Sequence, residues 1–450
     1  MKMRSILAAG SLLLASAALA QPPAGLLTTP PAGLLATPPA GLLATPPAGL
    51  LATPPAGLLA TPPAGLLTQP PAGLWDGTIT VNDVAIPFRL ELSGESPNIR
   101  GAFFNGDDKV PSTTGRFENG SLVLSFSQYG SKLEATWKDG VLEGKYMRSN
   151  RTYAVRATRA VSPQAAASEN VPSIDGLWEI AAKSSKGESA WRFVVKQSGA
   201  QVSAAILRVD GDTGALQGTY RNGKFVLSHF DGARPLLLEV TPAADGTLEL
   251  VENGQRKMTA VRTAEARAKN LPAPTDPATH TSVKDPNEPF HFSFPDLAGK
   301  TVSDTDAGFR DKVTIIAIGG SWCPNCHDEA PYLEALYKKY HARGLEVVGL
   351  FFEEADQLKD PARVRAFIRQ YGVEYPILLA GETGELHDKL PQAVNLDCWP
   401  TTFFLGRDGR VRAVHAGYAA SASGVYHDDL EKDVTELLDR LLGENSMAAR

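Results

Sequence analysis

Residues 313–331 read VTIIAIGGSWCPNCHDEAP, and the order of their chemistry decides the fold of the last third of the chain. Residues 313–318 form a short run rich in β-branched side chains, as a strand covered on both faces requires. Two glycines follow, then Cys323 and Cys326. Beyond them, to residue 343, Ala330, Leu333, Leu336 and Tyr340 recur at three- and four-residue steps, the period of a helix. The cysteine pair therefore falls where a strand ends and a helix begins. Unpaired N–H groups and the positive end of the helix dipole stabilise a thiolate there, and thiolate is the attacking species in disulfide exchange. Cys323, ahead of the first turn, is expected to be exposed and nucleophilic. Cys326, one turn in, is expected to be buried and to resolve the mixed disulfide. Two residues between them let the sulfurs meet without unwinding the helix, so the Cys323–Cys326 pair is expected to be a redox-active disulfide with no further cofactor. Pro324 suits an early helical position. Asp328 and Glu329 complement the dipole but oppose a thiolate nearby, so their net effect on the thiol has no sign at this level.

Further along, residues 345–352 read as a second buried strand, 361–371 as a helix and 375–379 as a strand. Residues 401–405 and 411–414 form a hairpin around Arg407-Asp408-Gly409, and 428–442 a closing helix. This alternation predicts an α/β domain over residues 290–445. A zinc site is the competing use of the pair, with Cys398 and His327 completing a Cys3His set. His327 adjoins Cys326 on the helix and would point away from a shared ion, so no metal is expected. Cys398 is read as a spectator, with a site for mixed disulfides or a regulatory partner as the other readings.

SWCPNCHDEAP, followed at residues 399–411 by WPTTFFLGRDGRV, resembles the TlpA/ResA-like branch of periplasmic thiol-disulfide oxidoreductases, over about a third of the chain. The resemblance implies a thioredoxin fold with Pro400 as a cis-proline opposite the disulfide, presenting backbone to the substrate. Trp322, Pro324, Trp399 and Thr401 would then line the substrate site. Thioredoxins keep a buried aspartate in the strand before the motif; Ala317 stands at that position. The branch instead places a glutamate at the end of the next strand. Of Glu353 and Glu354 the second aligns better, and it would take the proton of Cys326. The resemblance further implies a reductase acting on disulfide-containing exported proteins, apocytochrome c among them, with a membrane thiol carrier as electron donor. Two other readings stay open. One is a thiol peroxidase of the peroxiredoxin type, although Gly320 stands three residues before Cys323 where that group has threonine. The other is a non-enzymatic envelope protein that binds a partner through the region upstream.

That region is duplicated. Gly73-Leu74-Trp75 recurs as Gly176-Leu177-Trp178, an offset of 103 that also maps Asn119-Gly120 onto Asn222-Gly223 and Val123-Leu124-Ser125 onto Val226-Leu227-Ser228. Farther on, Gly140 maps onto Gly246, and Ala154-Val155-Arg156 onto Ala260-Val261-Arg262, at an offset of 106, which implies three inserted residues. Short alternating apolar runs are punctuated by Asn-Gly and Asp-Gly pairs, which supply the positive φ of tight hairpins. Two antiparallel all-β units, barrels or sandwiches, are predicted over residues 74–160 and 174–264, with a linker at 265–289. Neither contains a cysteine, a histidine cluster or paired carboxylates, so scaffold or partner binding is their expected role.

Residues 1–20 read as a signal peptide: Lys2 and Arg4, an apolar stretch, then Ala18-Leu19-Ala20 as a small-residue cleavage site. Residues 21–73 repeat the octad PPAGLLAT, whose proline pairs forbid a continuous helix or a paired strand. A disordered, extended spacer is expected. Export to the periplasm or cell envelope follows. The formal net charge of −6, with no basic cluster, excludes nucleic acid as an expected partner.

Overall fold

The computed structural model of the protein describes residues 72–161 and 170–444. The signal-like segment, nearly all of the octad spacer and the middle of the 160–173 connection lie outside the described residues. Among the described residues, no helix is long and apolar enough to cross a membrane.

The first β unit has nine antiparallel strands, from Gly73–Val81 to Arg151–Arg159. Consecutive strands pair except at one seam, and the first strand also pairs with the last. That pairing rolls the meander into a barrel. At the seam, the Phe117 N–H donates to the Pro97 carbonyl at 3.0 Å. Gly115 makes the approach feasible, since a Cβ there would lie 2.0 Å from the Ile99 carbonyl oxygen. Residues alternate along Gly73–Val81, which puts Trp75 and Ile79 in the core.

The second β unit closes fully. Its ring runs Gly176–Ala181, Ala190–Ser198, Gln201–Arg208, Leu216–Arg221, Lys224–His229, Leu236–Pro242, Leu248–Glu252, Arg256–Arg262 and back to Gly176–Ala181. Asn119-Gly120, Asp139-Gly140 and Asn222-Gly223 take positive φ at both residues, as the sequence predicts. At Asp245-Gly246 only the glycine does. The loop there is longer, and the Asp245 carboxylate accepts the Thr247 N–H at 3.0 Å.

The structure corrects the repeat register at its far end. Across the closing strands Trp75 lies opposite Arg159, and Trp178 opposite Arg262. Arg262 therefore corresponds to Arg159, not to Arg156, and the offset of 103 returns. The insertion is absorbed because strand Leu248–Glu252 has 5 residues where Val141–Arg148 has 8.

The C-terminal domain is a five-stranded sheet. We label its elements β1 (Val313–Gly319), α1 (Pro324–Tyr340), β2 (Leu345–Glu353), α2 (Ala362–Tyr371), β3 (Ile377–Glu382), β4 (Thr401–Leu405), β5 (Val411–Ala416) and α3 (Val425–Gly443). The order is β3-β2-β1-β4-β5, with β1, β2 and β3 parallel and β4 and β5 antiparallel. Strand periodicity splits the core between the two faces. Ile315, Ala317, Val347 and Phe351 pack with α1, α2 and α3, while Ile316, Ile318, Val348 and Leu350 pack with Phe290, Phe292 and Phe294. Part of the expected linker is folded, in helices Thr263–Ala268 and Pro277–His280 and in strand Ser282–Val283, which pairs with Ala393–Val394.

Candidate active site

β1 delivers the chain to the N-terminus of α1, where Cys323 is the N-cap residue and Pro324 the first helical position. The cysteines are joined as a disulfide, and the Cys326 N–H donates to Cys323 Sγ at 3.2 Å. An amide at the positive end of the helix thus points at the sulfur that would carry thiolate charge. Cys326 is buried, as expected. Cys323, expected exposed, is only 2% exposed.

The Trp399–Pro400 peptide is cis, and Pro400 is buried. Trp322 and Trp399 are half-buried and meet edge to face, with ring centroids 5.3 Å apart; Trp322 Nε1 donates to the Phe352 carbonyl at 2.8 Å. Thr401, expected at the substrate surface, is fully buried, and its hydroxyl donates to the Cys398 carbonyl at 2.8 Å. It shapes the proline loop from behind.

The two strand-end glutamates exchange places relative to expectation. Glu354 points outward, half-exposed, its carboxylate on Arg363. Glu353 is buried, accepting the Ser321 hydroxyl at 2.8 Å and Arg363 Nη2 at 2.8 Å. Burial pushes its carboxyl up, and Ser321 and Arg363 pull it back. It steadies the turn before Cys323. All nine residues of β2 are buried, so alternation along the strand does not separate the two glutamates; Glu353 ends the strand and Glu354 begins the next turn.

Sequence reading missed Glu329. It lies one turn beyond Cys326 on α1 and is buried, and the Thr402 hydroxyl donates to it at 2.7 Å. Thr402 pairs across strands with Ala317, so this carboxyl sits beside the place where the resemblance led us to seek an aspartate. Burial pushes it up to about 7, with Thr402 acting in the opposite direction. The available signal was a glutamate adjoining the apolar stripe of the helix, three residues from Cys326.

Both ring nitrogens of His327 are met by protein groups. Its Nε2 lies 2.8 Å from the Ser321 carbonyl, which only a donor can meet, and its Nδ1 then accepts from the Tyr371 hydroxyl at 3.0 Å. Burial pushes its pKa down to about 3, so the ring is neutral. Cys398 instead comes together with His280 and Asp397, ligand atoms within 4.8 Å of one another. The Lys186 ammonium lies 2.9 Å from the Asp397 carbonyl oxygen, and its charge opposes a cation there. Cys398 is fully buried, and burial pushes its thiol up.

Both β units reach α1. From the first, Arg148 Nη2 donates to the Trp322 carbonyl at 2.8 Å, and the Tyr129 ring lies 4.3 Å from that of His327. From the second, Arg234 Nη2 donates to Asp328 at 2.9 Å, and Arg234 also binds Asn325, between the cysteines. Asp328 is pushed up to about 6 by burial, against the pull of Arg234 and with Asp231 and Asp212 adding to the rise. These contacts bring both β units against the residues that flank Cys323.

Residues 286–414 match the family model described as AhpC/TSA family. The chain is 31% identical over 123 residues to the thiol-disulfide oxidoreductase ResA of Bacillus thuringiensis subsp. konkukian, which covers 27% of this chain and 63% of the relative. It is 32% identical over 130 residues to the thioredoxin-like protein YneN of Bacillus subtilis, covering 27% of this chain and 69% of that one. The chain thus spans less than two thirds of the ResA relative. Among solved structures, a putative thiol:disulfide interchange protein DsbE from Chlorobium tepidum is 21% identical, with 34% of this chain and 98% of that one covered and a TM-score of 0.28.

Proposed function

Since the C-terminal domain belongs to the thioredoxin superfamily, in its ResA-like thiol-disulfide oxidoreductase branch, we propose that the protein reduces disulfides of exported proteins. The observation that carries this reading is the Cys323–Cys326 disulfide at the N-terminus of α1, with the Cys326 amide on Cys323 Sγ. In the dithiol form, the Cys323 thiolate attacks one sulfur of the substrate disulfide, and the other sulfur leaves as thiolate. Cys326 then attacks Cys323 Sγ. This releases the reduced substrate and forms the internal disulfide, so two electrons pass to the substrate. Glu329, buried near neutrality one turn from Cys326, takes the Cys326 proton, the role first assigned to Glu354. Pro400, with Trp322, Pro324 and Trp399 around it, presents the docking backbone. The signal-like residues 1–20 support export to the periplasm or cell envelope. A membrane thiol carrier would restore the dithiol, and apocytochrome c is the substrate that the family resemblance suggests.

Trapping tests the reading. A Cys326→Ser variant mixed with insulin should accumulate a mixed disulfide on Cys323 that dithiothreitol releases, and the native chain should turn insulin over. No mixed disulfide and no turnover would end it. Rapid peroxide consumption would favour the thiol-peroxidase reading instead; Cys326, three residues from Cys323, and Gly320 speak against that.

A further inference from the structure

The strip of surface between the C-x-x-C turn and the proline loop is already occupied. In the second β unit, strands Gln201–Arg208 and Gly211–Asp212 are joined by Val209-Asp210, and this tip lies on the C-terminal domain. Val209 packs with Cys398, two residues before Pro400, and with Ala416. The Asp210 carbonyl accepts Asn325 Nδ2 at 2.7 Å. The approach is close: a Cβ on Gly417 would lie 2.4 Å from the Asp210 carbonyl carbon, and one on Gly211 would lie 2.4 Å from Asn325 Nδ2. Gly417 itself donates its N–H to the Pro400 carbonyl at 2.7 Å. The tip is fastened at both sides. Lys186 pairs with the Asp210 carboxylate at 3.0 Å, and Asp212 Oδ2 accepts the Ala420 N–H at 2.9 Å and the Ser423 hydroxyl at 2.6 Å.

The duplication supplies an internal control. At the offset of 103 the corresponding hairpin of the first unit joins Asn98–Asn105 to Asp108–Pro111 through Gly106-Asp107. That tip carries no apolar side chain, and Asp107 and Asp108 are exposed. Of the two hairpins, the one with the apolar anchor packs on Cys398 and Ala416, while the other meets the C-terminal domain through Asp108 and the Ser421 hydroxyl.

We propose that Val209-Asp210-Gly211 is a resident occupant of the substrate-docking strip, and that this protein's substrates are polypeptides that displace it with an extended segment of the same chemistry. Such a segment places a backbone carbonyl on Asn325 Nδ2 and a small apolar side chain in the niche that Val209 fills. The inference rests on the disulfide-exchange reading. While the tip is seated, Cys323 is buried, and a substrate disulfide lacks the line of approach that sulfur displacement needs. The tip lifts first, and the exchange then runs as described above.

The test uses the full chain, reduced, with labelling at Cys323 read by peptide mapping, so that the Cys398 wall of the Val209 niche stays native. Cys323 labelling is compared between iodoacetamide and a maleimide bearing a 5-kDa polymer, a reagent size chosen at roughly the scale of a small protein substrate. Val209→Gly, which copies the first unit, should raise the ratio of bulky to small labelling by about tenfold, on the order expected for losing one buried valine anchor, and should lower KM for insulin. Gly106→Ala should change neither. Lys186→Gln, which leaves the barrel core intact, should move the ratio in the same direction by a smaller factor and stands in if Val209→Gly misfolds. A native chain that turns insulin over, with an unchanged ratio and KM in both tip variants, overturns the proposal and leaves the exchange reading standing. Loss of insulin turnover in the native chain itself overturns both.

Discussion

In the first β unit, the loop of residues 127–130 meets α1 with an aromatic ring, Tyr129 against His327. In the second, the corresponding loop of residues 230–235 meets the adjacent residue, Asp328, with the guanidinium of Arg234. One duplicated loop thus holds one helix by two kinds of force. Tyr129 contributes contact area and ring geometry, which degrade gradually when trimmed. Arg234 stands between Asp328 and the fully buried Asp231, and a buried charge left without its partner is costly. Divergence after duplication left the first unit as a packed wall and made the second a charged bolt with a seated tip.

The largest effect should separate these contacts. Arg234→Met removes the guanidinium shared by Asp328 and Asp231, leaving His229 as the remaining partner of Asp231, and should lower stability by about 3–5 kcal/mol, whereas Tyr129→Leu should cost about 1–2 kcal/mol. Urea midpoints of the full chain read both, and equal losses would break the distinction.

Acidity should sharpen it. Burial alone would raise the Asp231 carboxyl, but His229 and Arg234 outweigh it and hold the group below its ordinary value of 3.8. Its contribution to stability is therefore full above that pH and is lost as pH falls further. Glu329 has the opposite sign: its pKa rises from 4.5 to about 7, so the folded state binds the proton more tightly. The protein should lose stability as pH rises from 4.5 to about 7, by on the order of 3 kcal/mol from this group alone. Glu329→Gln should flatten that slope and remove an inflection near pH 7 from the insulin-reduction rate. An unchanged slope would show that the carboxyl ionises freely.

The smallest effect should be equal in the two units. Gly73 and Gly176 sit at φ of +118° and +114°, and a Cβ would lie 3.1 Å from Arg159 and 2.9 Å from Arg262, respectively. Alanine at either position should cost about 1–2 kcal/mol. A marked inequality in denaturation midpoints would mean that the repeats no longer share this corner.

By itself the sequence determined most of the local geometry, Asp245-Gly246 being an exception. The β-branched run of β1, the three- and four-residue steps of α1 and the Asn-Gly turns each state their own backbone geometry within a few residues. The placement of Cys323 and Cys326 at the mouth of a helix, and the duplicated β units, therefore read off directly. Tertiary structure decided what each side chain meets. The burial of Cys323, the return of the repeat register at Arg159, Glu353 turned inward while Glu354 faces water, and the near-neutral carboxyl of Glu329 all depend on strands and loops distant in sequence. Asn325 and Asp328 depend on residues 115 and 94 positions away. Hydrogen-bonding periodicity is encoded neighbour by neighbour, but burial and charge pairing are properties of surfaces that exist only once remote segments have packed together.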